Sequence, residues 1–195
     1  MDKRLEQTPA DPRVAQAADP RVAQALAYHK KGYNCAQAVA CTFAEELGRD
    51  EKEVFQLMEA FGFGMGMMGT CGAVSGMSAV VGMKESDGNL EKPATKKNSY
   101  RVSKELIRRF EEKNGSIICR QIKGVDTKKV LRSCNGCIED AVLFVEAYLN
   151  GEYDAIFEEQ KAKEAAKAAA AKAKAEAAKA AAAAKAEADK EAENV

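Results

Sequence analysis

Apolar positions in this chain recur at helical spacing, and no segment shows the alternation of apolar and polar residues that is typical of β-strands. The pattern predicts an all-α fold, a compact bundle of five or six helices over roughly residues 20–157. The expected helices run from Pro20 to about Lys31, from Cys35 to Gly48, from Asp50 to about Phe61, from Cys71 to about Met83, from Thr95 to Asn114 and from about Ser133 to Asn150.

Capping residues set the start of three of these helices. Asn34 is followed three residues later by Gln37, and Asp50 by Glu53, which is the spacing of a capping box. Thr70 is the expected N-cap of the central helix. The periodicity also predicts which side chains are buried in the third and fifth helices: Val54, Phe55, Leu57, Met58 and Phe61, then Tyr100, Ser103, Leu106, Ile107 and Phe110.

The centre of the chain is an uncharged stretch from Phe61 to Met83. Its first part repeats glycine, which favours a loop over residues 62–69, whereas its second part has helical periodicity. A core helix explains this stretch better than a membrane span does, because the glycines cluster in its first half. Cys71 would then lie at a helix start, where free N–H groups and the helix dipole favour an anion such as a thiolate.

The two ends of the chain differ in composition from its middle. An eight-residue sequence occurs twice, at Ala10–Ala17 and Ala18–Ala25, and we expect residues 1–19 to form a weakly ordered extension. Residues 158–195 consist almost entirely of Ala, Lys and Glu, so they cannot supply a core and are expected to form a solvated helical tail. Residues 20–157 are the expected domain.

Composition limits the classes of function. The 195 residues carry a formal net charge of zero, which gives no field to attract nucleic acid or membranes. The N-terminus lacks the apolar segment of a secretory signal, so we expect a cytoplasmic protein whose six cysteines are reduced. In that setting cysteines indicate metal or redox chemistry more often than structural disulfides. The single histidine, His29, is expected to have a solvated capping role.

The candidate chemistry rests on where the cysteines lie. Cys35 and Cys71 begin predicted helices, Cys137 lies in the first turns of another, and Cys119 lies between helices in a short apolar segment that could be helical or extended. Thiols at helix starts share a lowered pKa and nearby N–H groups that can bond a thiolate or a cluster sulfur. Cys41 is expected in the core. The remaining cysteine, Cys134, forms a Cys-x-x-Cys pair with Cys137, without the βαβ pattern that accompanies such redox pairs.

These motifs resemble the C_GCAxxG_C_C family, named for four cysteines and described as redox-active. The resemblance covers about residues 21–150 and rests on Gly-Tyr-Asn-Cys-Ala-Gln-Ala-Val at 32–39, the glycine-rich segment with Thr-Cys-Gly-Ala-Val-Ser-Gly at 61–76, Cys119, and Cys137 with Ile-Glu-Asp-Ala-Val after it. It assigns the family cysteines to Cys35, Cys71, Cys119 and Cys137, which leaves Cys41 and Cys134 as extras. A similar domain occurs in split-Soret cytochromes, which carry an iron–sulfur cluster together with haem, whereas this chain lacks haem motifs.

The resemblance implies an electron-transfer or redox-sensing protein with a cluster on these four cysteines, [2Fe–2S] in preference to [4Fe–4S]. Gly66, Gly69, Thr70 and Gly72 are expected to bring backbone N–H groups close to the cluster. Two alternatives stay open: a thiol–disulfide protein that uses cysteine pairs, and a helical interaction module held by a Cys₄ zinc site. The expected partner is an unidentified redox protein, and a homodimer is compatible with the sequence. Whether the protein is an enzyme is left open.

Overall fold

The structure, a computed structural model, describes residues 19–193, with side chains through residue 177. In that range the regular structure is helical, apart from an isolated antiparallel bridge between Thr70 and Ile118, which confirms the all-α prediction. The first copy of the duplicated sequence lies outside the described residues. The α-helices of the described part are α1 (Pro20–Lys30), α2 (Cys35–Thr42), α3 (Glu51–Met58), α4 (Gly72–Glu85), α5 (Lys96–Asn114), α6 (Cys119–Ile122), α7 (Cys134–Leu149) and α8 (Asp154–Glu193).

Side-chain caps define the first three helix starts. Asp19 accepts hydrogen bonds from the first turn of α1, and Asp50 accepts one from the Glu53 N–H of α3 at 2.9 Å. Asn34 and Gln37 form the predicted reciprocal capping box at α2. The Thr70 cap is wrong: Cys71 is the N-cap of α4, which begins at Gly72 and receives no side-chain cap bond.

Helix α2 ends earlier than the sequence predicts. It stops at Thr42, and turns continue to Gly48, whose φ is +64°. The Thr42 hydroxyl donates to the Ala38 carbonyl at 2.8 Å, and the Phe43 N–H bonds to Ala40, a tighter i to i−3 contact. Such local bonds compete with continued α-helix, so the chain turns before the glycine.

The buried faces of α3 and α5 differ in part from the predicted ones. Leu57 and Tyr100 are both 68% exposed and Phe61 is 36% exposed, so burying them was a wrong prediction. In α5 the core face is a row of residues spaced by four, Val102, Leu106, Phe110 and Asn114. Tyr100 and Ser103 lie outside that row, because the packing partners rather than α5 itself select which side of the helix is buried.

Helix α4 is the centre of the bundle and packs against α2, α5 and α7. Gly76 permits the closest contact: a Cβ there would lie 2.6 Å from the Ala36 carbonyl oxygen and 3.0 Å from the Val39 Cβ. Since no side chain larger than hydrogen fits, α2 and α4 approach backbone to backbone. Their N-termini, which carry Cys35 and Cys71, are thereby brought side by side.

The glycine-rich segment is not a simple loop. A 3₁₀ turn over Glu59–Phe61 leads into a π-helical turn over Gly64–Met68. Phe63, just before this turn, and Met65 and Met68 within it have φ values of +53° to +57°. Left-handed backbone is costly for side chains other than glycine, so tertiary contacts hold this segment in place. The segment is compact and leads directly to Cys71.

The chain divides after Asn150 into two units. The second contains α8. Tyr153, just before this helix, packs edge to face on Phe157 with ring centroids 6.3 Å apart, and residues 161–177 of the helix are all exposed. This agrees with the expected solvated helix, which begins at Asp154. Among the described residues, no helix combines the length and the apolar character needed to cross a membrane.

Candidate functional site

Five of the six cysteines line a single cavity of about 230 Å³ in the first unit. They include all four cysteines named from the resemblance and also Cys134, which that assignment left out. The cysteines of the cavity are Cys35, Cys71, Cys119, Cys134 and Cys137. The lining contains no Asp or Glu, and its other polar side chains are those of His29, Asn34 and Lys123.

Cys35 is held by the capping box of α2. The Asn34 side chain accepts hydrogen bonds from Ala36 and Gln37 and donates one to the Glu59 carbonyl at 2.8 Å. One asparagine therefore fixes the helix start and also ties it to the glycine-rich segment. That segment returns a contact, because the Phe63 backbone N–H bonds to the Cys35 sulfur.

Cys71 and Cys119 are joined through their backbones. The Cys71 N–H donates to the Ile117 carbonyl at 2.8 Å, and the Cys119 N–H donates to the Gly69 carbonyl at 2.7 Å. These two bonds flank the Thr70–Ile118 bridge, so the bridge positions both cysteines at once. Cys119, which the sequence placed in an apolar segment of uncertain type, is the first residue of α6.

Cys134 and Cys137 lie in the first turn of α7, which Ser133 caps. Arg132 precedes the Ser133 cap, and its guanidinium donates two hydrogen bonds to the fully buried Asp140 of α7, at 2.9 and 3.0 Å. Gly136 makes room for that guanidinium, since a Cβ there would lie 2.4 Å from Arg132 Nε. These bonds anchor the loop before α7 to the helix that carries Cys134 and Cys137.

The cavity thiols are arranged as two hydrogen-bonded pairs. Cys35 contacts Cys134, and Cys71 contacts Cys137. The Cys-x-x-Cys residues therefore face different partners rather than each other. The pairs also differ in depth: Cys71 and Cys137 are 6% and 2% exposed, whereas Cys35 and Cys134 are half-buried.

The contact within each pair separates the pKa values of its two members. The hydrogen bond with Cys137, aided by the N–H groups of Ala73 and Val74 in α4, lowers the pKa of Cys71 to about 7. The hydrogen bond with Cys35, followed by the nearby Lys123 ammonium, lowers the pKa of Cys134 to about 5. The same hydrogen bonds, together with burial, raise the pKa of Cys35 and of Cys137.

Cys119 and Cys41 lie outside these pairs. Burial raises the pKa of the Cys119 thiol, which lines the cavity. Cys41 lies elsewhere in the core, where its thiol contacts the Glu51 carbonyl and burial raises its pKa to about 12. Its expected place in the core is what the structure shows.

The four backbone residues proposed to approach a cofactor do not all reach the cavity. Gly72 lines it, in close contact with Cys35, but Gly66, Gly69 and Thr70 are absent from the lining. Gly69 acts one step away through its bond to Cys119. The glycine-rich segment contributes Phe63 to the lining, a residue that the glycine pattern did not single out.

Three further residues of the lining were not predicted. Cys134 follows a serine cap exactly as Cys35 follows an asparagine cap, so the same helix-start rule would have found it. Lys123 gave no signal, because it reaches the cavity only through the turn after α6. His29 is half-buried in the last turn of α1 and bonds Asn135 at 2.8 Å.

The motif-bearing region also matches a family model. Residues 33–148 match the model described as "Putative redox-active protein (C_GCAxxG_C_C)". The chain belongs to the C_GCAxxG_C_C family. No curated protein and no solved structure gives a significant match. The family match includes all five cavity cysteines, so the C_GCAxxG_C_C region and the cavity coincide.

The sulfurs of this C_GCAxxG_C_C protein are not grouped around one point. Among the described residues, no set of three or more His, Cys, Asp or Glu side chains is placed to hold a single metal ion. A closed zinc site needs four sulfurs at about 2.3 Å from one ion. The sulfurs are instead arranged as two pairs and Cys119 around the cavity.

Proposed function

We propose that this is a redox-active protein in which the cysteine cavity holds an iron–sulfur cluster through Cys35, Cys71, Cys119 and Cys137. The observation that carries the proposal is the cavity itself: thiols from four separate helix starts line one space that contains no carboxylate. Thiolates are the usual ligands of such clusters. A [2Fe–2S] cluster is the preferred form.

The chemistry of the donors supports such a group. A cluster distributes its ligands over several iron atoms, so it suits sulfurs that are spread around a cavity better than a single ion does. Backbone N–H groups of Phe63, Ala73 and Val74 face the sulfurs of Cys35 and Cys71. When bound, the cluster would supply one-electron chemistry, and these N–H groups would stabilise the negative charge on its ligands.

A thiol–disulfide reaction is the second candidate. The contact between Cys71 and Cys137 favours it, because two paired thiols are placed to become a disulfide without a metal. The lowered pKa of Cys71 supports nucleophilic attack. The zinc alternative is less well matched, since the sulfurs do not surround one point.

Metal and sulfide analysis of anaerobically purified protein separates these candidates. The proposal predicts iron and acid-labile sulfide in comparable amounts, visible absorbance and a paramagnetic signal after one-electron reduction. Zinc without colour would support the structural metal site, and metal-free protein with reversible thiol oxidation would support the disulfide reaction. Either of these two results would overturn the cluster.

Single substitutions test the ligand assignment. Cys119→Ser should remove the iron, since Cys119 supplies the only sulfur from α6. Cys41→Ser is the matched control, because that cysteine is equally buried but lies outside the cavity. Retention of full iron content by Cys119→Ser would exclude Cys119 as a ligand.

The proposal also includes a location and a partner. We place the protein in the cytoplasm, where six free thiols are kept reduced. Its partner would be another redox protein that docks near the half-buried thiols at the mouth of the cavity. Fractionation of native cells, with detection of the endogenous protein, tests the location.

A further inference from the structure

The two outer cysteines of the cavity form a distinct pair. Cys35 and Cys134 are half-buried and line the same cavity at the starts of two helices that pack together, whereas each of the other three cavity cysteines is at most 6% exposed. Cys134 also lies outside the four cysteines assigned as cluster ligands. A reagent that enters the cavity therefore meets these two thiols first, and one of them has no role in the proposed cluster.

The backbone holds both members of this pair in place. Cys35 and Cys134 are the first residues of α2 and α7, and each helix start is fixed by a side-chain cap. A hydrogen bond of 2.8 Å between His29 and Asn135 secures the start of α7 at the end of α1, and α7 also packs against α2. The two thiols are thus kept adjacent, so each has a high effective concentration for reaction with the other.

One cation faces the pair from a third element. The Lys123 ammonium, in the turn after α6, makes a hydrogen bond to the Cys134 thiol and acts electrostatically on Cys35 as well. It also lies over the Phe63 ring at 5.9 Å, which fixes its direction. A positive charge at this point of the cavity attracts anionic reagents toward the pair.

We propose that Cys35 and Cys134 form a reversible disulfide at the mouth of the cavity by exchange with a low-molecular-weight disulfide such as oxidised glutathione. The Cys134 thiolate attacks one sulfur of the reagent, a mixed disulfide forms and the first glutathione thiolate leaves. Cys35 then loses its proton to solvent and attacks the Cys134 sulfur, which releases the second glutathione. Two protein thiols are oxidised and one glutathione disulfide is reduced to two thiols.

This reaction goes beyond the proposed cluster and has a consequence for it. A Cys35 sulfur that is bonded to Cys134 cannot also be a metal ligand. Formation of the outer disulfide would therefore block loading of the cluster, and reduction would restore it. The pair would make cluster assembly dependent on the thiol–disulfide balance of the surroundings.

Peptide mapping of the full chain tests the bond itself. Reduced, chelator-treated protein is exposed to oxidised glutathione, its free thiols are alkylated, and the cross-linked peptides are sequenced by mass spectrometry. Cys134 and Cys137 share a tryptic peptide, so fragmentation must locate the bonded sulfur. A bond between Cys35 and Cys134 that dithiothreitol reverses is expected, and it should persist in Cys41→Ala. A dominant Cys71–Cys137 or Cys134–Cys137 bond, or a stable glutathione adduct, would overturn the proposal.

The rate of the exchange tests the role of Lys123. Lys123→Gln should slow formation of the bond by about tenfold, because the charge that attracts the anionic disulfide reagent to the pair is lost, and Lys123→Arg should restore most of the rate. Lys129→Gln is the matched control, as it removes an exposed lysine from the same loop. Equal rates in Lys123→Gln and Lys129→Gln would exclude the assigned role of Lys123.

Iron loading of the same samples separates this inference from the proposed function. Both are supported if reduced protein takes up iron and sulfide while pre-oxidised protein takes up several-fold less. Iron uptake without a Cys35–Cys134 bond would overturn the inference and leave the cluster standing. A Cys35–Cys134 bond in a protein that never takes up iron would overturn the cluster and leave this inference standing.

Discussion

Cys41 and Cys137 are both buried cysteines of the same bundle, and they differ in what surrounds the sulfur. Cys41 contacts a carbonyl oxygen and packs as a small apolar side chain. Cys137 contacts another thiol and lines a cavity. Burial alone therefore does not distinguish Cys41 from the cysteines of the cavity, whereas the neighbouring sulfur does.

Substitution of these two cysteines by alanine should give opposite results. Cys41→Ala removes one buried sulfur and should cost about 1 kcal/mol of unfolding free energy while it retains the iron. Cys137→Ala removes a proposed ligand and should lose the iron. Iron content and urea denaturation of both variants, prepared in parallel, measure this. If only Cys41→Ala lost the iron, the iron would be bound outside the cavity.

The inner thiol pair should make the stability of metal-free, reduced protein depend on pH. The folded pKa of Cys71 is about 7 against an ordinary value of 9.0, so between these values the unfolded chain holds a proton that the folded chain has released. Stability should rise with pH through this window, by at most about 1.4 kcal/mol per pH unit from this group. It should fall above pH 9, where the raised pKa of Cys137 acts in the opposite direction.

Urea denaturation across this pH range, with and without the pair, measures the effect. The double variant Cys71→Ala/Cys137→Ala should lose the rise that the inner pair contributes. If its pH profile had the same slope as that of the unaltered protein, the inner pair would not be the source of this pH dependence.

At the scale of elements, the site depends on how closely α2 and α4 approach. Gly76 meets the Ala36 carbonyl in α2, and Gly72 meets Cys35 at the helix starts. The contact fixes Cys35 relative to Cys71, and the Thr70–Ile118 bridge adds Cys119. Helix packing thus places cysteines that are far apart in the sequence.

Two glycines of α4 form a matched pair of tests. Gly76→Ala should push the helices apart, cost about 2 to 3 kcal/mol and reduce iron uptake, because its Cβ would lie 2.6 Å from a backbone oxygen. In Gly82→Ala the added Cβ would meet no atom within 4 Å, so this substitution should be neutral or should stabilise the fold by up to about 1 kcal/mol. Thermal unfolding and iron content give the comparison. Equal stability of the two variants would contradict the close contact.

Local signals predicted the element starts better than they predicted burial. The caps Asn34 and Asp50 could be found because capping involves residues two or three positions apart. The exposure of Leu57 and Tyr100 could not, because the packing partner decides which helix face is covered. The same limit applies to the site: helix starts indicated Cys35 and Cys71, but only the folded loop brings Lys123 to Cys134.

At the scale of the whole molecule, the cavity and the C-terminal tail belong to different units of the chain. The cavity cysteines span residues 35–137 and belong to the first unit. Any group that binds them joins distant parts of the chain, so binding should stabilise the fold. The exposed part of α8 has no apolar side chain larger than alanine with which to contribute.

Removal of the chain after Gln160 should therefore leave the site intact. The deletion keeps the buried Tyr153 and Phe157 and removes a stretch that is exposed through residue 177. The melting temperature and the iron content of the truncated protein should equal those of the full chain. A clear loss of melting temperature would show that the tail docks.

Iron and acid-labile sulfide, measured together after anaerobic reconstitution, test the central claim most directly. The account predicts comparable amounts of both in the full chain, a reversible one-electron signal, and an increase in melting temperature on loading. It predicts none of these in the quadruple variant Cys35→Ser/Cys71→Ser/Cys119→Ser/Cys137→Ser. Full-chain protein that stays free of iron and sulfide under the same conditions would contradict the account.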